Sequence, residues 1–366
     1  MELMPEKSEV AKREEKILAF WEREHIFHKS LEKKFPKGDF IFYEGPPTAN
    51  GRPGIHHLEA RAFKDTVLRY KTMRGYRVKR RAGWDTHGLP VELEVEKQLG
   101  FKGKPDIEKY GIAAFNKKCR ESVFTYIDEW AKFTRRIGFW VDEAKAYFTF
   151  DAPYMEVLWH LFAQTAKENR LYKDYKVLPW CPRCGTALSS HELAQGYEDV
   201  KDLTITAKFE LIDEPGTYLL AWTTTPWTLP GNIALAVGND IEYGVYEQNG
   251  ERFIIAKART PQEFGQPIKS VQGGELVGKK YKPLYDFAKN IAAGNEKAKF
   301  DKAFQVYAAD FVTTEEGTGI VHTAVMYGQE DFELGNKTGL PKVHLVNPEG
   351  KFIANTGFLA GKSVAE

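Results

Sequence analysis

Between Phe40 and Trp84 the hydrophobic period switches twice, and this restricts the folds open to the chain more than any other feature. "FIFYEGPP" (Phe40–Pro47) reads as a short strand buried on both faces and ended by two prolines. A loop of small, turn-forming residues follows from Thr48 to Pro53. From His57 to Arg74 the period is helical, with Ala60, Phe63, Val67 and Tyr70 as the expected inner face and Gly75 as the stop. "YRVKRRAGWDTHGLP" then gives a second strand, a loop and a helix with Pro90 near its first turn. Strand, loop, helix and strand form a βαβ unit, which calls for a parallel α/β sheet.

The 366 residues suffice for two or three domains, and 42% apolar with 13% aromatic content suits a packed protein rather than a disordered one. A net charge of +1 spreads no global basic field, so contact with nucleic acid has to be local, and no DNA partner is expected. The first residues have no apolar signal core, no uncharged run approaches a membrane span, and three cysteines exclude a disulfide framework; a cytoplasmic location with no membrane partner is the expectation.

Ser8 to about Lys34 reads as a helix with Val10, Ile17, Phe20 and Trp21 on one face. A longer helix carries a core stripe of Ile112, Phe115, Cys119, Val123, Tyr126, Trp130 and Phe133; Cys119 on it reads as a core thiol rather than a nucleophile. Near Asp199 the character changes. "LTITAKFELI", "TYLLAWTTT", "IALAVG", "EYGVYEQNGERFIIAKA" and "GIVHTAVM" are β-like, with Asn249-Gly250 as a hairpin turn. The expected division is 1–198, the first part of an α/β domain with a knuckle-like segment at about 175–195, and 199–366, a β-rich barrel or sandwich, expected to be cut short at its end. The α/β part is too small for a complete doubly wound sheet.

His56 and His57 stand where a helix begins at the end of a strand. There, backbone amides and a helix N-terminus attract phosphate, and imidazoles can donate to phosphate oxygens as charge develops. Gly54 leaves room for close approach of a ligand. Capping or surface histidines would look the same locally. Cys181-Pro182-Arg183-Cys184 has the spacing of a zinc half-site, with a redox pair as the alternative, although the strand–helix context of a redox motif is missing.

The words "EGPPTANG", "RPGIHH", "RYKTMRGY", "RAGWDTHGLPVE", "LPWCPRCGTALSSHE", "WTTTPWTLPGN" and "GTGIVHTA" resemble the class I aminoacyl-tRNA synthetases, and among them the isoleucyl group. The resemblance spans nearly the whole chain. It implies a Rossmann-type catalytic half-domain with a parallel sheet, followed by an inserted β-rich barrel editing domain. The implied reaction is activation of L-isoleucine by ATP with Mg to the adenylate, then transfer to tRNA(Ile), by a protein expected to be monomeric.

By the same resemblance Gly45 and Pro46 would line the amino-acid pocket, and Asp85 would hold the substrate ammonium, or cap the following helix. Thr48, Asn50, Gly54, His56 and His57 would surround ATP, the two histidines as the catalytic pair; Trp84 would serve packing, with His87 as a neighbour. Thr223, Thr224, Thr225, Thr228 and Asn232 would form one wall of the editing site, with His322 limiting pocket size and Asp331 gripping the ammonium. Cys181 and Cys184 would be half of a zinc site, completed in the family by a second pair beyond Glu366.

The family's usual order at the helix start is His-x-Gly-His, whereas this chain has Gly54-Ile55-His56-His57, and Val325 stands where a proline is usual. The exchange points to altered nucleotide geometry and weaker binding of inhibitors that imitate the adenylate, a route to antibiotic resistance. The family's Lys-rich K-M-S-K-S loop is absent from Met1 to Glu366, so this stretch alone is not expected to aminoacylate. A valyl or leucyl relative, or a module that only deacylates tRNA, are the alternatives.

Overall fold

The computed structural model describes residues 7–48, 50–194 and 196–366. The chain forms two compact units, Met1–Lys173 and Asp174–Glu366.

The first unit opens with helices α1 (Glu9–Arg23) and α2 (Ile26–Glu32), then strand β1 (Asp39–Tyr43), helix α3 (Ile55–Met73) and strand β2 (Arg77–Trp84). Helices α4 (Leu89–Leu99), α5 (Lys104–Tyr110) and α6 (Ile112–Arg136) lead to strand β3 (Asp142–Phe148) and helix α7 (Ala152–Lys167). The strands lie in the order β1-β2-β3, and both pairs are parallel. Gly83 sits at a register shift opposite Tyr147; a Cβ there would lie 2.3 Å from the tyrosine ring, so glycine is what lets the aromatic cross the strand.

The α6 stripe packs as its spacing requires. Val123 and Trp130 are buried with Trp84 and Val91, and Cys119, Tyr126 and Phe133 pack against them; only Ile112, at the helix start, is exposed. Burial pushes the Cys119 thiol up to about 11, in keeping with a core role.

Three expectations are corrected. The single helix expected from Ser8 to about Lys34 is broken at His25, whose left-handed backbone (φ 51°) separates α1 from α2. Strand β1 is an edge strand whose Ile41 and Tyr43 are exposed, so it is not buried on both faces. Helix α3 is turned almost half round: Phe63, Val67 and Tyr70 are exposed, and Arg61, Leu68 and Thr72 are buried. The cause is a charged inner face. Asp65 accepts from Arg69 and from the buried Arg80 of β2 (2.9 Å), which also donates to Thr72 Oγ1 (3.0 Å). Arg61 donates to Thr134 Oγ1 (2.6 Å). Charges that satisfy one another can face inward, and apolar periodicity does not reveal them.

The second unit begins with the short hairpin β4 (Trp180–Cys181) and β5 (Thr186–Ala187). The unit boundary precedes it because the hairpin packs here: Trp180 Nε1 donates to Pro348 O (2.8 Å), and Val177 joins a core with Ile233, Phe332 and Leu340. Strands β6 (Ile205–Glu210), β7 (Thr217–Thr223), β8 (Ala234–Val237), β9 (Glu242–Gln248), β10 (Glu251–Ala256), β11 (Lys269–Gln272), β12 (Val306–Ala308) and β13 (Ile320–Thr323) follow. They make a five-stranded sheet, β11-β9-β10-β7-β6, and a three-stranded sheet, β12-β8-β13. Both sheets feed one core, from Phe209, Leu219 and Ile254 on one side to Leu235, Val306 and Ile320 on the other. Asn249 and Gly250 both have positive φ (52° and 82°), the turn their sequence calls for between β9 and β10.

Candidate functional sites

The first candidate site lies at the carboxyl ends of β1 and β2. Past the strands proper, the chains stay paired through Thr48 and Asp85: Asp85 N donates to Pro47 O (3.0 Å), and Thr48 Oγ1 donates to Asp85 Oδ2 (3.3 Å). Asp85 is therefore held on a strand-end loop by a neighbouring hydroxyl. In the segment after β1, Gly45 is exposed, and Pro46 and Asn50 are half-buried. Trp84 is packed in the core, as its sequence reading has it, and the His87 ring meets the Thr149 hydroxyl at 2.7 Å.

Helix α3 starts at Ile55 with Gly54 as its N-cap. His57, in the first turn, folds its ring back so that Nδ1 accepts from Gly54 N (2.9 Å). The neutral ring then carries its proton on Nε2, the donor it can offer to a phosphate oxygen. Burial, and then the neighbouring charges of His56, Arg61 and Lys64, hold the His57 pKa below the ordinary value of 6.5, which favours this neutral form. His56 is exposed and packs at 3.8 Å centroid distance on His57.

Trp130 of α6 joins these parts. It meets His57 edge-on at 4.6 Å and Trp84 at 6.0 Å, and its Nε1 donates to Gly51 O in the loop (2.8 Å). Sequence reading missed this clasp, and it missed Glu44, whose buried carboxylate takes a hydrogen bond from Lys64 (2.7 Å) through one oxygen while the other has no hydrogen-bond partner among the described residues. The signal for Glu44 was its place at the head of "EGPP".

The second candidate site lies in the second unit, where β7 ends and the turn Pro226–Gly231 begins. Thr223 Oγ1 accepts from Thr225 N (3.0 Å), and the Thr225 hydroxyl lies 3.5 Å from that of Thr228. Thr223, Thr228 and Asn232 are buried, whereas Thr224 and Thr225 are exposed. Thr228 Oγ1 lies 2.7 Å from Nε2 of His322, on β13, and Asn232 Nδ2 lies 3.4 Å from its Nδ1. Burial lowers the His322 pKa to about 4, so the ring is neutral at working pH.

Asp331 enters from the helix Gln329–Thr338, half-buried, with Ala324 N donating to its carboxylate (3.4 Å). Burial, with the nearby negative charge of Glu330, pushes it up to about 7, while Glu330 itself is exposed. Trp227 of the turn packs edge-on against Tyr327 (5.1 Å), tying the threonine loop to the connection between His322 and Asp331. Val325, in that connection, is buried.

The cysteines form a tight knuckle. Gly185 N donates to Cys181 O (2.8 Å), and Cys184 N lies 3.4 Å from Cys181 Sγ. Burial pushes the Cys184 thiol up. Among the described residues no third His, Cys, Asp or Glu gathers with the pair, so the residues present do not fit a complete zinc site. Nor is any helix among the described residues long and apolar enough to cross a membrane.

The profile of the tRNA synthetases class I (I, L, M and V) matches residues 16–331. An isoleucine–tRNA ligase of Bacillus thuringiensis (strain Al Hakam) is 47% identical over 97% of this chain and 34% of its own length. One from Clostridium novyi (strain NT) is 48% identical over 93% of this chain and 32% of its own. An isoleucine–tRNA ligase 2 of Bacillus anthracis is 46% identical over 97% and 34%. This chain thus spans about a third of the length of the curated relatives it matches. With the profile covering most of the chain and the parallel strand–helix–strand unit beneath it, the chain belongs to the class I tRNA synthetases (I, L, M and V).

Proposed function

We propose that this chain is the activating and editing portion of an isoleucine–tRNA ligase that uses ATP with Mg, L-isoleucine and tRNA(Ile). The observation that carries the activation half is the meeting of Asp85 with the loop before α3 at the ends of adjacent parallel strands. An ammonium held by Asp85 and phosphates facing the α3 N-terminus and His57 Nε2 would bring carboxylate and α-phosphate together, so that positioning and charge stabilisation carry the reaction. ATP–pyrophosphate exchange by the full-length protein is expected to prefer isoleucine; a preference for valine or leucine would overturn the assignment.

In this reading the two sheets of the second unit form the barrel of an inserted editing domain. Its site is the loop of Thr223, Thr224, Thr225 and Thr228 with Asn232, His322 and Asp331. Such a site is needed because a pocket for isoleucine cannot strongly reject a side chain one methylene smaller, a limit for which isoleucyl-tRNA synthetase is itself the standard example. Exposed threonine hydroxyls would orient water at the ester of a mischarged tRNA end, while Asp331 holds the ammonium. Thr228→Ala is expected to raise valyl-tRNA(Ile) accumulation in the full-length enzyme; deacylation at the wild-type rate would remove Thr228 from the site. Cys181 and Cys184 are assigned as half of a structural zinc site, with no chemical step.

The rearranged Gly54-Ile55-His56-His57 start is taken to retune nucleotide binding rather than abolish it. A Cβ at Gly54 would lie 2.9 Å from the His56 ring, so side chains at 54 and 56 compete for one space. Gly54→His and His56→Gly are therefore expected to be strongly non-additive in ATP–pyrophosphate exchange. The double variant should bind an adenylate analogue about tenfold or more tightly than the wild type, the order of one charge-assisted hydrogen bond. Unchanged affinity in the double variant would end the inhibitor half of this proposal.

A further inference from the structure

Tyr281 is fully buried in the core shared by the two sheets, edge-on to Phe209 at 5.2 Å. Its hydroxyl reaches out of that core and donates to Asn232 Oδ1 (2.7 Å). A phenol in such surroundings has to find an acceptor, and here the acceptor belongs to the threonine–histidine cluster.

Two carbonyls, which can only accept, fix the sense of the hydrogen bonds that follow. Ala234 O takes a hydrogen from Asn232 Nδ2 (2.9 Å), so the amine end of the amide faces Ala234 and the oxygen end faces Tyr281. The same nitrogen donates toward His322 Nδ1, which leaves the imidazole proton on Nε2. Nε2–H then donates to Thr228 Oγ1 (2.7 Å), whose own hydrogen goes to Thr225 O (2.8 Å).

We propose that Tyr281, acting through Asn232, is a positioning residue of the hydrolytic pocket: it holds His322 in the Nε2–H form and thereby commits the Thr228 hydroxyl to the Thr225 carbonyl, fixing the loop that presents Thr224 and Thr225. This rests on the reading of the second unit as a hydrolytic site. Two consequences follow. His322, with one nitrogen protonated and the other accepting from Asn232, is not the proton acceptor of the reaction. Thr228 has no hydrogen left for a ligand, so the exposed Thr225 hydroxyl is the one that meets water or ester.

The test uses the full-length protein with isotope-labelled histidine, whose long-range nitrogen–proton spectra report the His322 tautomer without any ligand. The wild type is expected to show Nε2–H alone. Tyr281→Phe strips Asn232 Oδ1 of its donor, so either orientation of the amide leaves a buried group unsatisfied, and an Nδ1–H population appears. In the same variant kcat for deacylation of valyl-tRNA(Ile) falls about tenfold with KM nearly unchanged, the order expected when a supporting partner rather than a reacting group is lost. Isoleucine-dependent pyrophosphate exchange stays at the wild-type rate. Asn232→Asp serves if Tyr281→Phe does not fold: a carboxylate gives up the bond to Ala234 O, has no hydrogen to offer His322 Nδ1, and therefore accepts from Nδ1–H and inverts the tautomer. An Nδ1–H wild type, an unmoved tautomer in the variants, or a moved tautomer with unchanged kcat would each overturn the proposal. A wild-type protein unable to deacylate valyl-tRNA(Ile) would instead sink the editing reading, and the tautomer alone would then decide the role of Tyr281.

Discussion

Asp331→Asn is expected to slow deacylation of valyl-tRNA(Ile) about a hundredfold while making the second unit more stable above pH 7. In the proposed editing site the loss of activity follows from replacing the carboxylate assigned to the substrate ammonium by a neutral amide, a charge-assisted bond of about 1.5–3 kcal/mol. The gain in stability follows from burial. The Asp331 carboxyl titrates at about 7 rather than 3.8, so the folded state holds its proton more tightly than the unfolded one. That contribution is fully present below about pH 4 and is lost as the pH rises through 7. At about 1.4 kcal/mol per pH unit it comes to about 4 kcal/mol, which solvent access to a half-buried group reduces to about 2 kcal/mol.

His322 works in the opposite sense. Its pKa is lowered from 6.5 to about 4, so its contribution is present above pH 6.5 and is lost as the pH falls toward 4. The two terms offset each other in the wild type between about pH 4 and pH 7. Asp331→Asn removes one of them and uncovers the other, so the variant should be more stable than the wild type at pH 8 and should lose stability on acidification where the wild type does not. Urea denaturation at a series of pH values checks this. Parallel curves for the two proteins would show that Asp331 ionises without the cost its burial implies.

The second large effect is expected at Trp130. Trp130→Ala should destabilise the first unit by about 3–5 kcal/mol, the range for emptying a buried aromatic site. The ring is 2% exposed and meets His57, Trp84 and Phe133 edge-on, with the Arg61 guanidinium 5.0 Å from its centre. Such a loss is a large fraction of the ~5–15 kcal/mol that holds a domain together. Trp130→Phe separates packing from the hydrogen bond to Gly51. It should cost about 1–2 kcal/mol, and proteolysis should then find the loop between Asn50 and Gly54 more readily. Equal denaturation midpoints for the wild type and the alanine variant would contradict the role assigned to the ring.

What could be read from the sequence was whatever has a local period or a local turn chemistry. The α6 stripe of Phe115, Val123 and Trp130 declared itself at helical spacing, and Asn249-Gly250 declared its hairpin because both residues accept positive φ. The inner face of α3 did not, because it is built from the buried Arg61 and the half-buried Asp65 and Arg69, held by hydrogen bonds and ion pairs rather than by apolarity. Strand β12, Val306–Ala308, is too short to show a period. Among the candidate sites, the histidines, threonines and cysteines stood inside recognisable words. The residues that hold them did not. Tyr281 reaches Asn232 across 49 residues, and nothing near either of them announces the pairing.

The bond from Trp130 to Gly51 spans 79 residues, which bears on how the loop between β1 and α3 becomes ordered during synthesis. Translation at about 5–20 residues per second leaves an interval of roughly 4–16 s between the appearance of Gly51 and that of its anchor. Throughout that interval the nascent chain carries β1 and the start of α3 without their clasp, and the contact, being so non-local, cannot seed folding of this region. Pauses between the codons for Gly51 and Trp130 would lengthen the exposure of the nascent loop to proteases and chaperones.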